Sequence, residues 1–114
     1  MGKNAFSCRS YQKKDHTVLE ISGDVTFEVI ESLRREFARL REDRPARVVF
    51  DCMGVTLMSS VALGEFSRLI KWGLENQCRF KAACQNDHVV DVLGIAGITD
   101  AIPLFPSLDM ALAR

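Results

Sequence analysis

Apolar and β-branched residues first gather in Thr17-Val18-Leu19-Glu20-Ile21-Ser22, a run stopped by Gly23-Asp24. The segment from Ala5 to Tyr11 can pair back on it across the polar turn Lys13-Lys14-Asp15, so the pattern predicts an opening β-hairpin. From Thr26 the period changes. Phe27, Ile30, Leu33, Phe37 and Leu40 recur at three- and four-residue steps, the spacing of one helix face. Glu28 and Glu31 fall in the first turns, and Arg34, Arg35, Arg39 and Arg41 in the later ones, as the helix dipole favours. Pro45 cannot continue this helix. Arg47-Val48-Val49-Phe50-Asp51-Cys52 then reads as a strand whose unbroken apolar stretch suits cover on both faces.

Met53-Gly54-Val55-Thr56-Leu57-Met58 reads as an apolar connector, and Ser59-Ser60 as capping residues for a second long helix. Ala62, Leu63, Phe66, Leu69, Ile70 and Gly73 mark its inner face before Asn76-Gln77. A strand is expected over Cys78 to Cys84. A short helix follows, capped by Asn86 or Asp87, carrying Val89, Val90 and Leu93 and broken by Gly94 and Gly97. A last strand near Ile102 to Phe105 leads through Pro106 to Ser107, which can cap a terminal helix of Leu108, Ala111 and Leu112. Strands alternating with helices imply an α/β fold, a mixed β-sheet of four to five strands with about four α-helices packed on it. With 114 residues and no linker-like stretch, residues 1–114 are expected to make one domain.

Composition narrows the function classes. At 47% hydrophobic the chain can bury a core, and fifteen basic residues balance fifteen acidic ones. That balance leaves no global field to draw in nucleic acid or an anionic membrane, so neither is an expected partner. No apolar run approaches the roughly 18 residues of a membrane span, and Met1-Gly2-Lys3-Asn4 lacks a secretory signal's apolar run, so a cytoplasmic location is expected. Gly2, with Phe6 and Ser7 after it, matches a myristoylation signal too slightly to predict one. Cys8, Cys52, Cys78 and Cys84 form no C-x-x-C pair and have no His at zinc spacing, which points to reduced, mostly buried thiols and to no metal or other cofactor. His16 and His88 sit in no metal or triad motif and read as surface or loop residues. The sharpest enzyme reading is a nucleophilic Cys52 at a strand end, where α/β folds place reactive groups, but no base is identifiable near it.

The informative stretch is Asp51 through Gly64, where a buried strand delivers two hydroxyls to a helix N-terminus. A phosphate on Ser59 or Ser60 would meet unsatisfied N–H groups and add a charge of about −1.5 to −2 to an apolar surface, a plausible switch. The plainer role is an N-cap contributing about 1 kcal/mol.

In order, these segments resemble the STAS domain, the fold of bacterial anti-sigma factor antagonists and of related domains in stressosomes and sulfate transporters. The resemblance runs from about Asp15 to Ala113, on Leu19-x-Ile21-x-Gly23, Val48-Val49-Phe50-Asp51, Leu57-Met58-Ser59-Ser60 with Leu63-Gly64, Val92-Leu93-x-x-Ala96-Gly97-Ile98, and the closing Phe105 to Leu112. It implies a non-enzymatic regulator of transcription. Antagonists of this family bind an anti-sigma factor that is also a serine kinase, and lose affinity once phosphorylated in an Asp-Ser-Ser-Gly-Leu-Gly segment. That segment aligns here with Ser59-Ser60-Val61-Ala62-Leu63-Gly64: the usual phosphoacceptor becomes Val61, which has no oxygen to phosphorylate, and a second acidic position becomes Thr26. The resemblance therefore implies a protein-docking surface made of Thr26, Leu57, Met58, Ser59, Ser60, Val61, Ala62 and Phe66, beside an exposed edge from Gly23 to Phe27, with Val55, Leu57, Met58 and Val61 as its apolar patch. Three alternatives remain: phosphorylation at Ser60 or Ser59, a soluble STAS subunit of a membrane transporter, and the thiol enzyme. A homodimer is compatible with any of them.

Overall fold

The computed structural model describes residues 4–113, so Gly2 lies outside the described residues. Strand β1 (Ser7–Lys13) and strand β2 (His16–Val25) form the expected hairpin, in register from Lys13 with His16 to Ser7 with Ser22. Lys14 and Asp15 both take positive φ, 50° and 63°, as the two central residues of a tight hairpin turn do. A 3₁₀ turn (Phe27–Val29) then leads into helix α1 (Ile30–Asp43), which buries Ile30, Leu33, Phe37 and Leu40. Phe27 departs from the expected face. It belongs to the tighter turn before the helix and is 70% exposed.

Strand β3 (Arg47–Met58) is twice the length the sequence suggests, because the expected connector over 53–58 continues the strand. It lies parallel to β2, and β4 (Arg79–Ala83) lies parallel to it on the other side. Helix α2 (Ser60–Glu75) connects them, followed by α3 (Asp87–Ile95), α4 (Ile98–Ala101), β5 (Leu104–Phe105) and α5 (Leu108–Leu112). Sheet order is β1-β2-β3-β4-β5, antiparallel only at the first pair, as the mixed-sheet expectation required. The helix beyond the expected four is α4. Gly94 stays inside α3, and only Gly97, at φ 80°, breaks the chain between the two helices.

One face of the sheet carries the main core. Phe37 of α1, Phe50 of β3, Phe66 of α2 and Phe80 of β4 make a ring cluster, with Phe66 edge-on to Phe37 and Phe50 at 5.1 and 5.0 Å and Phe80 stacked on Phe50 at 5.0 Å. Gly73 of α2 is what lets the helix approach so closely, since a Cβ there would lie 2.2 Å from the Phe80 ring. A smaller cluster occupies the opposite face, where Ala111 and Leu112 of α5 cover Val18, Val49 and Ala83.

His16 corrects its reading as a surface residue, for it is 1% exposed; His88 is exposed as expected. Alternation from Val18 puts the His16 side chain on the α5 face of β2, a burial set by strands distant in sequence.

Candidate functional site

The turn into α2 is built by the end of β3. Two irregularities in the β2–β3 pairing leave β3 with an extra residue each time: Glu20 and Ser22 face Asp51 and Gly54, then Gly23 and Asp24 face Val55 and Leu57. Each bulge resets which side chains point inward. Val55 and Met58 therefore turn into the core, 1% and 3% exposed, while Leu57 turns out at 39%. The apolar patch expected from Val55, Leu57, Met58 and Val61 is thus reduced to Leu57 and Val61, the latter 37% exposed. Ala62 and Phe66 are buried beside Met58, so these three residues support the surface from below.

Ser59 is the N-cap of α2, with extended backbone and its Oγ accepting from the Ala62 N–H at 3.3 Å. Its own N–H donates to the Val25 carbonyl at 2.9 Å, which ties the helix entrance to the end of β2. Thr26 follows directly, half-buried, and Phe27 stands exposed beyond it. Ser60 is exposed on the first turn of a 16-residue helix, where an anion meets unbonded N–H groups. Thr26, Leu57, Ser59, Ser60 and Val61 therefore converge at one end of the sheet. The expected exposed edge is mixed, since Gly23 and Val25 are buried. Gly23 takes φ +84° and packs on the Ala5 backbone, where a Cβ would meet the carbonyl oxygen at 2.0 Å.

Two features of this end escape sequence reading. A groove of about 460 Å³ runs between α2 and α3, with Met58, Ser60 and Leu63 on one side and Val92 and Ile95 on the other. Ile95 is 86% exposed; its place at the end of α3, just past Gly94, gave no hint of this. Behind the turn, Glu65 is buried and its Oε2 accepts from Arg34 Nε at 2.9 Å and from Arg68 at 2.6 Å, which links α1 to α2. Burial would raise the Glu65 pKa, but the two guanidinium hydrogen bonds outweigh it and hold the carboxyl below its ordinary value. Arg68 at the i+3 position was the only signal for it in the sequence.

Among the described residues no group of three or more His, Cys, Asp and Glu side chains could hold a metal ion. Cys52 is 1% exposed, and burial first, then Cys84, Asp51 and Cys8, push its thiol far above the ordinary range. A nucleophile needs the thiolate, so the Cys52 enzyme reading loses its support. Burial also pushes Cys8 up to about 12, with help from Glu36, and Cys78 up to about 11. No described helix is long and apolar enough to cross a membrane.

Comparison with known proteins agrees with this architecture. The family model for the STAS domain matches residues 8–111. A crystal structure of an anti-sigma factor antagonist from Mycobacterium paratuberculosis superposes with a TM-score of 0.86 at 19% identity, over 95% of this chain and 92% of that one. The NMR structure of the protein TM1081 superposes with a TM-score of 0.77 at 14% identity, over 100% of this chain and 97% of that one. No curated protein matches by sequence.

Proposed function

The chain belongs to the STAS domain family, and from that premise we propose that it is a non-enzymatic regulator that docks a protein partner through the turn entering α2. The observation that carries this reading is the exposure of Leu57 and Val61 on either side of Ser59-Ser60, above a buried support of Met58, Ala62 and Phe66. An exposed apolar pair costs solubility without contributing to the core, and here it brackets Ser60, which lines the α2–α3 groove. The partner that fits the family is an anti-sigma factor with serine kinase activity; the superposed antagonist supports that choice. Location in the cytoplasm, where such a partner acts, follows from the same reading.

Val61 occupies the position where the family carries its phosphoacceptor, so docking here lacks the usual off-switch. The protein is then a partner-competent form that the kinase cannot silence at Val61. Phosphorylation at Ser60 is the second reading, favoured by its exposure at the α2 N-terminus while Ser59 is occupied as the cap. A role as the STAS subunit of a transporter would use the same surface with a different partner.

Binding to the purified anti-sigma-type kinases of the same genome tests the proposal. Leu57→Asp and Val61→Asp are each expected to weaken capture by at least about tenfold, whereas Met110→Asp, an equal change at an exposed residue of α5, leaves it intact. Absence of binding to every such kinase, or equal loss with all three variants, would sink it.

A further inference from the structure

At the opposite end of the sheet, the strands begin with cations. Arg47 opens β3 and pairs in register with Arg79, which opens β4, and Lys81 follows two residues on. These positions alternate with Val48 and Phe80 of the main core, so all three side chains rise from the face that α5 half covers. With Val48 and His16 they line a cavity of about 170 Å³. Among the described residues, none of those lining it is acidic.

His16 supplies an independent sign that something belongs there. Its Nδ1 lies 2.7 Å from the Lys14 carbonyl oxygen, and a carbonyl only accepts, so Nδ1 carries the proton. That leaves Nε2 as a buried nitrogen with no partner among the described residues, in a residue 1% exposed. A buried polar atom left unbonded is costly, and the Nε2 lone pair can accept from the P–OH of a hydrogen phosphate.

We propose that this cleft binds a small oxyanion of the phosphate class, with the Arg79 guanidinium and His16 Nε2 as its ligands. Arg47 and Lys81 already take part in other interactions of the chain and contribute positive field; the Lys81 ammonium donates to the Ala111 carbonyl at 2.9 Å and lies 5.8 Å from the centre of the Phe105 ring. Because Lys81 also holds α5, an anion in the cleft would brace the last helix against the sheet. The cavity has ample room, since about 10–15 Å³ of such volume already admits a water. The site is independent of docking at the α2 turn.

The test is a titration of the full chain with inorganic phosphate at constant ionic strength, followed through the His16 ring ¹⁵N resonances. Saturable, single-site movement of Nε2 is expected, with no such movement when chloride replaces phosphate. Arg79→Gln, a change at an exposed residue, is expected to weaken binding about tenfold or more while the amide spectrum keeps its dispersion. Overturning results are an Nε2 resonance indifferent to phosphate, an equal response to chloride, or unchanged affinity in Arg79→Gln.

Discussion

Glu65 and Asp51 are two buried carboxylates with opposite consequences for stability in acid. Glu65 has its pKa lowered on folding, so its contribution is full above the unfolded value and is lost as pH falls through the folded one. Glu65→Gln is expected to cost about 1–2 kcal/mol at neutral pH, kept small because Arg34 and Arg68 are largely solvated, and to flatten the acid side of the stability curve. Asp51 goes the other way. Burial and the nearby Glu20 raise its pKa against the Met53 N–H that accompanies it at 3.1 Å, so the fold favours the protonated form. That contribution is present at low pH and fades as pH rises through the folded value. Asp51→Asn keeps an acceptor for the Met53 N–H and is expected to leave stability at neutral pH unchanged or slightly higher. Urea unfolding between about pH 3.5 and 7 checks both signs.

The elements show which parts of a sequence speak for themselves. Ile30, Leu33, Phe37 and Leu40 were legible because helix periodicity is local, and Ser59 was legible as a cap because its bond reaches only three residues ahead. The end of β3 was not legible in the same way. Its two bulges arise from pairing with β2, and each one flips the inward-facing set, so Val55 turns into the core against the alternation begun at Val48, Phe50 and Cys52, and the second bulge returns Met58 to it. His16 escapes the sequence reading for a similar reason, since the β3 and β4 residues beside it, Arg47, Val48, Arg79 and Lys81, lie far along the chain. At the candidate site, Leu57, Ser60 and Val61 were therefore recognisable from the sequence, and the groove bordered by Ile95 was not. Met58→Asp separates the two roles: it is expected to destabilise by more than about 3 kcal/mol by burying a charge, while Leu57→Asp keeps the wild-type unfolding midpoint. Ser59→Ala is expected to cost about 1 kcal/mol through the lost cap, measurable by thermal or urea unfolding.

Across the whole molecule, β3 joins two unlike ends. One carries exposed apolar residues around a helix N-terminus, and the other a basic cleft around a buried histidine. A net charge of zero means that neither end is reinforced by a global field, so partner choice depends on these local surfaces. If Val61 is what spares the protein from silencing, then Val61→Ser should gain one phosphate from a cognate kinase, read by intact mass, where wild type gains none. A phosphate appearing on wild type at Ser60 would replace that view with a displaced switch.

The most direct measurement is a ¹⁵N amide titration of the chain with a purified anti-sigma-type kinase from the same genome. Docking through the α2 turn requires the largest shifts at Thr26, Phe27 and Leu57 to Leu63, with Ile95 at the margin and α5 silent. Shifts confined to α5 and the strand starts at Arg47 and Arg79, with the α2 turn unmoved, would contradict it.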